Sequence, residues 1–238
     1  MKNVAMLFLV GVVLTLTFVP SISAAEPQVA FGGGGPSLGL FMPSMTRINA
    51  FVEDAGFQPF EGNLFLIGGS GGGGLAPGAT YGGSGWAAWI ESSRGERHAE
   101  YSAGFGGFEM GYALGGDASS ILGIGLTLGG GAVELALTEE LQAVPLEFGP
   151  RGIVVEPTRF TYDSVFFFAA PYIEMQVQLL DWVGIGVRGG VVWSPIELNG
   201  SDEGPLEAPV LAPSGPYVSL SVVFGGITWL DSPGEGAP

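Results

Sequence analysis

Cysteine is absent from this chain, histidine occurs once, and Lys and Arg together number 7 among 238 residues. Without cysteine there is no disulfide, so the fold must hold by sheet closure or by its core alone. Zinc sites draw on several His or Cys ligands, and one histidine does not supply them. The few basic side chains face 23 acidic ones, for a formal net charge of −16. That balance disfavours binding to nucleic acid, whose phosphates are neutralised by Lys and Arg, and it disfavours docking by charge onto anionic lipid. Charged residues are 13% of the chain, against roughly 25% in soluble domains, yet the mean hydropathy is +0.43. Beyond the first 25 residues there is also no apolar run of membrane-helix length, because Gly, Pro, Asp or Glu interrupts every candidate. High hydropathy without a membrane helix suits apolar surface spread over many strands, alternating with small or polar residues.

What is present begins with MKNVAMLFLVGVVLTLTFVPSISAA. A basic Lys2, an apolar stretch from Val4 to Val19 and the small residues Ser23-Ala24-Ala25 form a secretory signal pattern. Residues 1–25 are therefore expected to be a signal peptide, and residues 26–238 one exported domain. That length is compatible with one sizeable core.

One segment reads as a helix. In PSMTRINAFVEDAG, Met45, Ile48, Phe51, Val52 and Ala55 recur at helical spacing, Ser44 can cap the start, and Gly56 stands where a terminating glycine belongs. This short amphipathic helix, near 44–55, should pack on or plug something. The rest reads as strands. YIEMQVQL places Ile173, Met175, Val177 and Leu179 on one face and Tyr172, Glu174, Gln176 and Gln178 on the other. Leu180-Asp181-Trp182 makes a tight connection to VGIGVRGGVVW, and YVSLSVVF repeats the alternation at 217–224. In ILGIGLTLGGGAVELAL the apolar phase changes from Leu122, Ile124, Leu126 and Leu128 to Val133, Leu135 and Leu137, which predicts a glycine bulge at 129–131. Connections alternate between short turns (115–120, 180–182) and long Pro-rich acidic loops (139–156, 195–215).

Residues 171–224 resemble the closing hairpin and final strand of a bacterial outer-membrane β-barrel, through the alternating PYIEMQVQL, the LDW turn, VGIGVRGGVVW and the aromatic ending at Phe224. Two features depart from that pattern. The chain runs on to Pro238, and its N-terminal half is richer in glycine than barrel strands usually are. The resemblance implies an all-β, antiparallel up-and-down barrel of about 8–10 strands in the outer membrane, with lipid as its surroundings. Its role would be structural, interactive or a minor passage of small solutes, without catalysis. The alternative is a soluble exported β-sandwich or jelly-roll that binds a partner or joins a surface layer. The direction of Ile173, Met175, Val177, Leu220 and Val222 separates the two, since only a membrane barrel turns them outward.

LFLIGGSGGGGLAPGATYGGSGW, residues 64–86, carries the letters of two active sites. Gly69, Gly71 and Gly74 fit a dinucleotide fingerprint, and Gly68, Ser70 and Gly72 fit the nucleophile elbow of serine hydrolases. Both require a helix after the turn, and Pro77 with Gly78, Gly82 and Gly83 falls where that helix would run. A Ser70 hydrolase would have His98 as its only possible base and stands as a remote alternative. No cofactor is expected. The acidic LNGSDEG offers Asp202 and Glu203 to a divalent cation, without the regular calcium-loop spacing. Counting out from the Asp181–Trp182 turn brings Glu174 and Arg188 nearly opposite, as an ion pair inside a closed barrel. Tyr172, Trp182, Trp193 and Tyr217 fall near strand ends and are candidates for interfacial aromatics.

Overall fold

The computed structural model describes residues 28–117, 119–139, 158–202 and 209–230. The proposed signal peptide lies outside them, as does most of the long connection after Glu139. The described residues form eight antiparallel strands in sequence order: β1 Gln28–Phe41, β2 Leu64–Ala76, β3 Gly78–Arg94, β4 Arg97–Gly116, β5 Ser120–Glu139, β6 Thr158–Leu180, β7 Val183–Asp202 and β8 Gly215–Leu230. Each pairs with the next, and β8 closes on β1 through pairs such as Leu38–Leu220 and Gly32–Gly226. The sheet is a closed up-and-down barrel, not a sandwich. Every strand exceeds the 9–11 residues needed to span a bilayer.

The short connections at Pro77, 117–119 and 181–182 share one rim with Gln28 and Leu230, here called the turn end. Asp117 ties the β4–β5 turn by accepting from the Ser119 and Ser120 amides and from both hydroxyls. Those bonds, led by the Ser119 hydroxyl, hold its carboxyl below the usual range. The opposite rim, the loop end, carries residues 42–63, the tight turn 95–96 and residues 209–214, and Glu139, Thr158 and Asp202 end their strands there. The acidic stretch expected as loop from 195 is strand as far as Asp202.

The helix α1, Thr46–Asp54, lies in the β1–β2 connection. Met45, not Ser44, holds its N-cap position, with no side-chain cap; the Ser44 amide bonds instead to Ser214 O. Its C-terminus closes as expected on Gly56, at φ 84°, with Gly56 N–H donating to Glu53 O and Phe57 N–H to Val52 O. The buried Ile48 and Val52, with Phe57 and Phe60, join Tyr101, Leu135, Leu137, Tyr162 and Leu211 in an apolar core that fills the loop end.

The phase change in β5 has a cause other than a bulge. The pairing of β5 with β4 and β6 runs unbroken through Gly129–Gly131, so Val133, Leu135 and Leu137 point inward while Leu122, Ile124 and Leu128 point outward on one regular strand. The whole barrel makes the same exchange. The in-register row Phe65–Trp89–Ser102–Glu134–Asp163 marks the boundary. On its turn-end side the exterior is apolar, while the interior passes from the rings of Phe105, Phe166 and Phe168 through a polar and glycine layer to the small cluster of Val29, Ala76, Ala113 and Ile121. On its loop-end side Glu91, His98, Glu100 and Arg159 face out, and apolar residues fill the interior. The irregularities that do occur in the ladder lie at Ala113/Gly115 and at three points between β6 and β7.

The discriminating residues point outward. Ile173, Met175, Leu220 and Val222 are exposed, and Val177 is half-buried on the same face, paired with Ile185. With Leu38, Ile67, Leu122, Val187, Val218 and many others they form an apolar surface on all eight strands. That far exceeds the few hundred Å² of contiguous apolar patch a soluble monomer tolerates. Outward aromatics bracket it. On β3, Trp89 packs edge-on against Phe65 and Tyr81 stacks against Phe108. The eight residue steps from Tyr81 to Trp89 cover about 26 Å along the strand, or about 20 Å along the axis at a tilt near 40°.

Candidate functional site

The interior polar layer lies between two apolar clusters. Loop-endward is the large core with Phe41, Leu66, Phe105, Phe166 and Phe168; turn-endward is the small one of Val29, Ala76, Ala113 and Ile121. At the centre of the layer is Arg188. Its register partner on β6 is Glu174, as counting from the turn anticipates, and its Nε donates to Glu174 Oε2 at 2.6 Å. Both bonds from Arg188 to Glu174 fall on Oε2.

A third member comes from across the lumen. Glu109 of β4 is 5% exposed and takes a two-pronged contact from Arg188, one prong from Nη1 and one from Nη2 at 3.0 Å. Thr127 adds a long bond to Glu109 Oε1 at 3.4 Å. The guanidinium also lies 4.1 Å from the centre of the Tyr172 ring, a cation–π contact that is strongest when desolvated. Glu109 escapes a count made outward from the β6–β7 turn, since 79 residues separate it from Arg188. Its sequence signal is a lone charge in the glycine and aromatic strand GFGGFEMGY, because a charge in such a setting needs a partner.

Glycines make the room. Glu109 is in register with Gly82, and that row continues through Gly72, Gly33 and Gly225. Four neighbouring strands thus present no side chain to the lumen opposite the charges. Gly190 serves the aromatic side: a Cβ there would lie 2.7 Å from Tyr217 Cε1. Between the charges and the glycine wall is a cavity of about 70 Å³, lined by residues including Gly33, Gly72, Gly82, Glu109, Glu174 and Gln176.

The expected aromatics divide. Tyr172 and Tyr217 are corrected from interfacial to luminal positions, Tyr172 over Arg188 and Tyr217 only 7% exposed against Trp86. They occupy the polar phase of their strands, with Glu174 and Ser219, and that phase points inward. Trp182 is 62% exposed and stacks on Phe224 at the turn end. Trp193 is half-buried near the irregular stretch of β7.

The two glycine fingerprints are not assembled. Gly69, Gly71 and Gly74 all lie within β2, with no helix after them. Ser70 pairs with Ser84, whereas His98 pairs with Ser93, nine residues further along β3. At about 3.3 Å per residue that separation is about 30 Å, with His98 exposed on the outer face and Ser70 on the inner phase. Asp202 ends β7, and Glu203 lies outside the described residues. Among the described residues no group of three or more His, Asp or Glu is placed to hold a metal ion.

No family model matches this chain, and no curated protein matches it in sequence. Among solved structures it is similar to Ail, the attachment invasion locus protein of Yersinia pestis, in complex with the heparin analogue sucrose octasulfate. The TM-score is 0.40 at 8% identity, covering 85% of this chain and 99% of that one. Ail without the analogue gives a TM-score of 0.36 at 9% identity, over 85% and 99% of the two chains. The outer membrane protease OmpT from Escherichia coli gives 0.28 at 10% identity, over 90% and 100%.

Proposed function

We propose that this protein is an outer-membrane barrel with a closed lumen, whose role is to hold its loop-end surface outside the bilayer as an interaction platform, without transport or catalysis. The observation that carries this reading is the exchange of faces along the barrel. Among the described strand residues, the large exposed apolar side chains lie at or on the turn-end side of the Phe65–Trp89–Ser102–Glu134–Asp163 row. The exposed Glu91 and Glu100 and the half-buried Glu134 lie at or beyond it. Short turns at one rim and longer connections at the other match the layout of such barrels. Core packing at the loop end and the Glu109–Arg188–Glu174 cluster leave the lumen filled, which favours a platform over a pore.

Two measurements test it. The protein is expected in the outer-membrane fraction with heat-modifiable gel migration, and in planar bilayers it should give no steady conductance. Recovery as a freely soluble periplasmic monomer would overturn the location. Sustained ion current from the reconstituted protein would overturn the closed lumen.

A further inference from the structure

The interior cluster contains two carboxylates and one guanidinium, so it carries one negative charge in excess. Among the described residues nothing else in the chain balances it. The other arginines, Arg47, Arg94, Arg97 and Arg159, and the lone His98 all belong to the loop end. Arg188 is committed. Its two-pronged contact engages both oxygens of Glu109, and its remaining bonds to Glu174 both end on Oε2. Glu174 Oε1 takes no bond from the described chain, and Glu174 lines the 70 Å³ cavity.

A second observation points into the same space. Gln176, two residues along the same inward face, is 7% exposed, lines the cavity, and has its side-chain nitrogen buried without a partner. A primary amide turned about its last torsion exchanges nitrogen for oxygen at that position, which presents a carbonyl oxygen to the cavity that Glu174 also lines. Ser221 also lines the cavity; its hydroxyl donates to Gly186 O at 3.3 Å and keeps its lone pairs free.

We infer that the lumen binds one monovalent inorganic cation, such as sodium, between Glu174 Oε1, the Gln176 amide and the Ser221 hydroxyl. Size and donor count select this class. A water's share of liquid volume is about 30 Å³, so the cavity takes a small ion with one or two waters and excludes sugars or organic cations the size of choline. Calcium takes 6–8 oxygen ligands, often including bidentate carboxylates, and here one carboxylate oxygen is open. The site is independent of where the barrel resides.

The test is thermal unfolding of the purified barrel in detergent micelles at pH 8 and constant ionic strength, with choline chloride replaced stepwise by sodium chloride. Sodium should raise the midpoint saturably, by about 3–5 °C at ten times its dissociation constant. Glu174→Gln should abolish that dependence, with a midpoint in choline no lower than that of the unaltered protein. Equal midpoints in sodium and choline for the unaltered protein would overturn the site. So would a midpoint that ignores sodium but rises as the pH is lowered, which assigns the excess charge to a proton. An undiminished sodium effect in Glu174→Gln would place the ion elsewhere. Should that variant not fold, Gln176→Leu, which leaves the Arg188 bonds intact, must weaken the sodium dependence, and an unchanged response again overturns the proposal.

Discussion

At the scale of single residues, Arg188 is the side chain on which the interior depends. It has 8% side-chain exposure and Glu109 has 7%, so neither charge has water in reserve. Removing one partner of a buried pair leaves an uncompensated charge and costs about 3–5 kcal/mol. Arg188→Leu should lower stability by that amount in denaturant unfolding from micelles. Arg188→Lys should recover only part of it, because an ammonium reproduces neither the fork onto Glu109 nor the stacking on Tyr172. The half of this cluster made by neighbouring strands was legible in the sequence, since period-two alternation about a tight turn places Glu174 opposite Arg188. Glu109 was not, because a contact across the lumen depends on which strands close the ring. The misplaced tyrosines teach a related point. Tyr172 and Tyr217 share a phase with Glu174 and Ser219, so an inward-facing polar phase takes its aromatics inward too.

At the scale of the strand, alternation is informative only where side chains alternate. β6, β7 and β8 have them and were readable; β1 to β3 are so rich in glycine that neither phase is marked. β5 misled for another reason. A change of phase on a regular strand looks the same as a bulge in sequence, and only the unbroken pairing through Gly129–Gly131 distinguishes a change of surroundings from a slip. This assigns different tolerances to one outer face. Ile173→Arg, in the apolar exterior, should cost about 2–4 kcal/mol when unfolding is followed from lipid vesicles. Ser93→Arg, exposed on the outer phase beyond the Trp89 row, should change stability by less than about 0.5 kcal/mol. Equal costs at the two positions would remove the boundary.

At the scale of the molecule, the ring of eight consecutive antiparallel strands lies at the lower edge of the 8–10 that the resemblance to outer-membrane barrels implies. The one helix does what its amphipathic pattern suggests by covering the loop end. Arg97 fastens that cover: it donates to Gly56 O at 3.0 Å, pairs with Glu139 at 2.9 Å, and sits over the Phe57 ring. Residues 209–214 cross the same end, with Tyr101 donating to Leu211 O at 2.8 Å and Glu197 accepting from the Leu211 and Ala212 amides. Exchange of residues 43–62 for a short flexible linker should therefore lower the unfolding midpoint without opening a conductance in planar bilayers, since Phe105, Phe166 and Phe168 still fill the lumen below.

The glycine row gives this cylinder a wall of two thicknesses. Around β5 to β7 the peptide layer carries aliphatic groups along its outer side, with Glu174, Tyr172 and Arg188 among the groups on its inner side. Around β1 to β3, over the cavity, it is close to bare backbone. Padding is what resists bending in a sheet, so a lateral squeeze on the ring is taken up where the padding is missing. The glycines that make room for Glu109 and Arg188 leave one arc of the wall without side chains, so lateral deformation of the ring should concentrate there, and amide hydrogen exchange is expected to run faster along β2 than along β6.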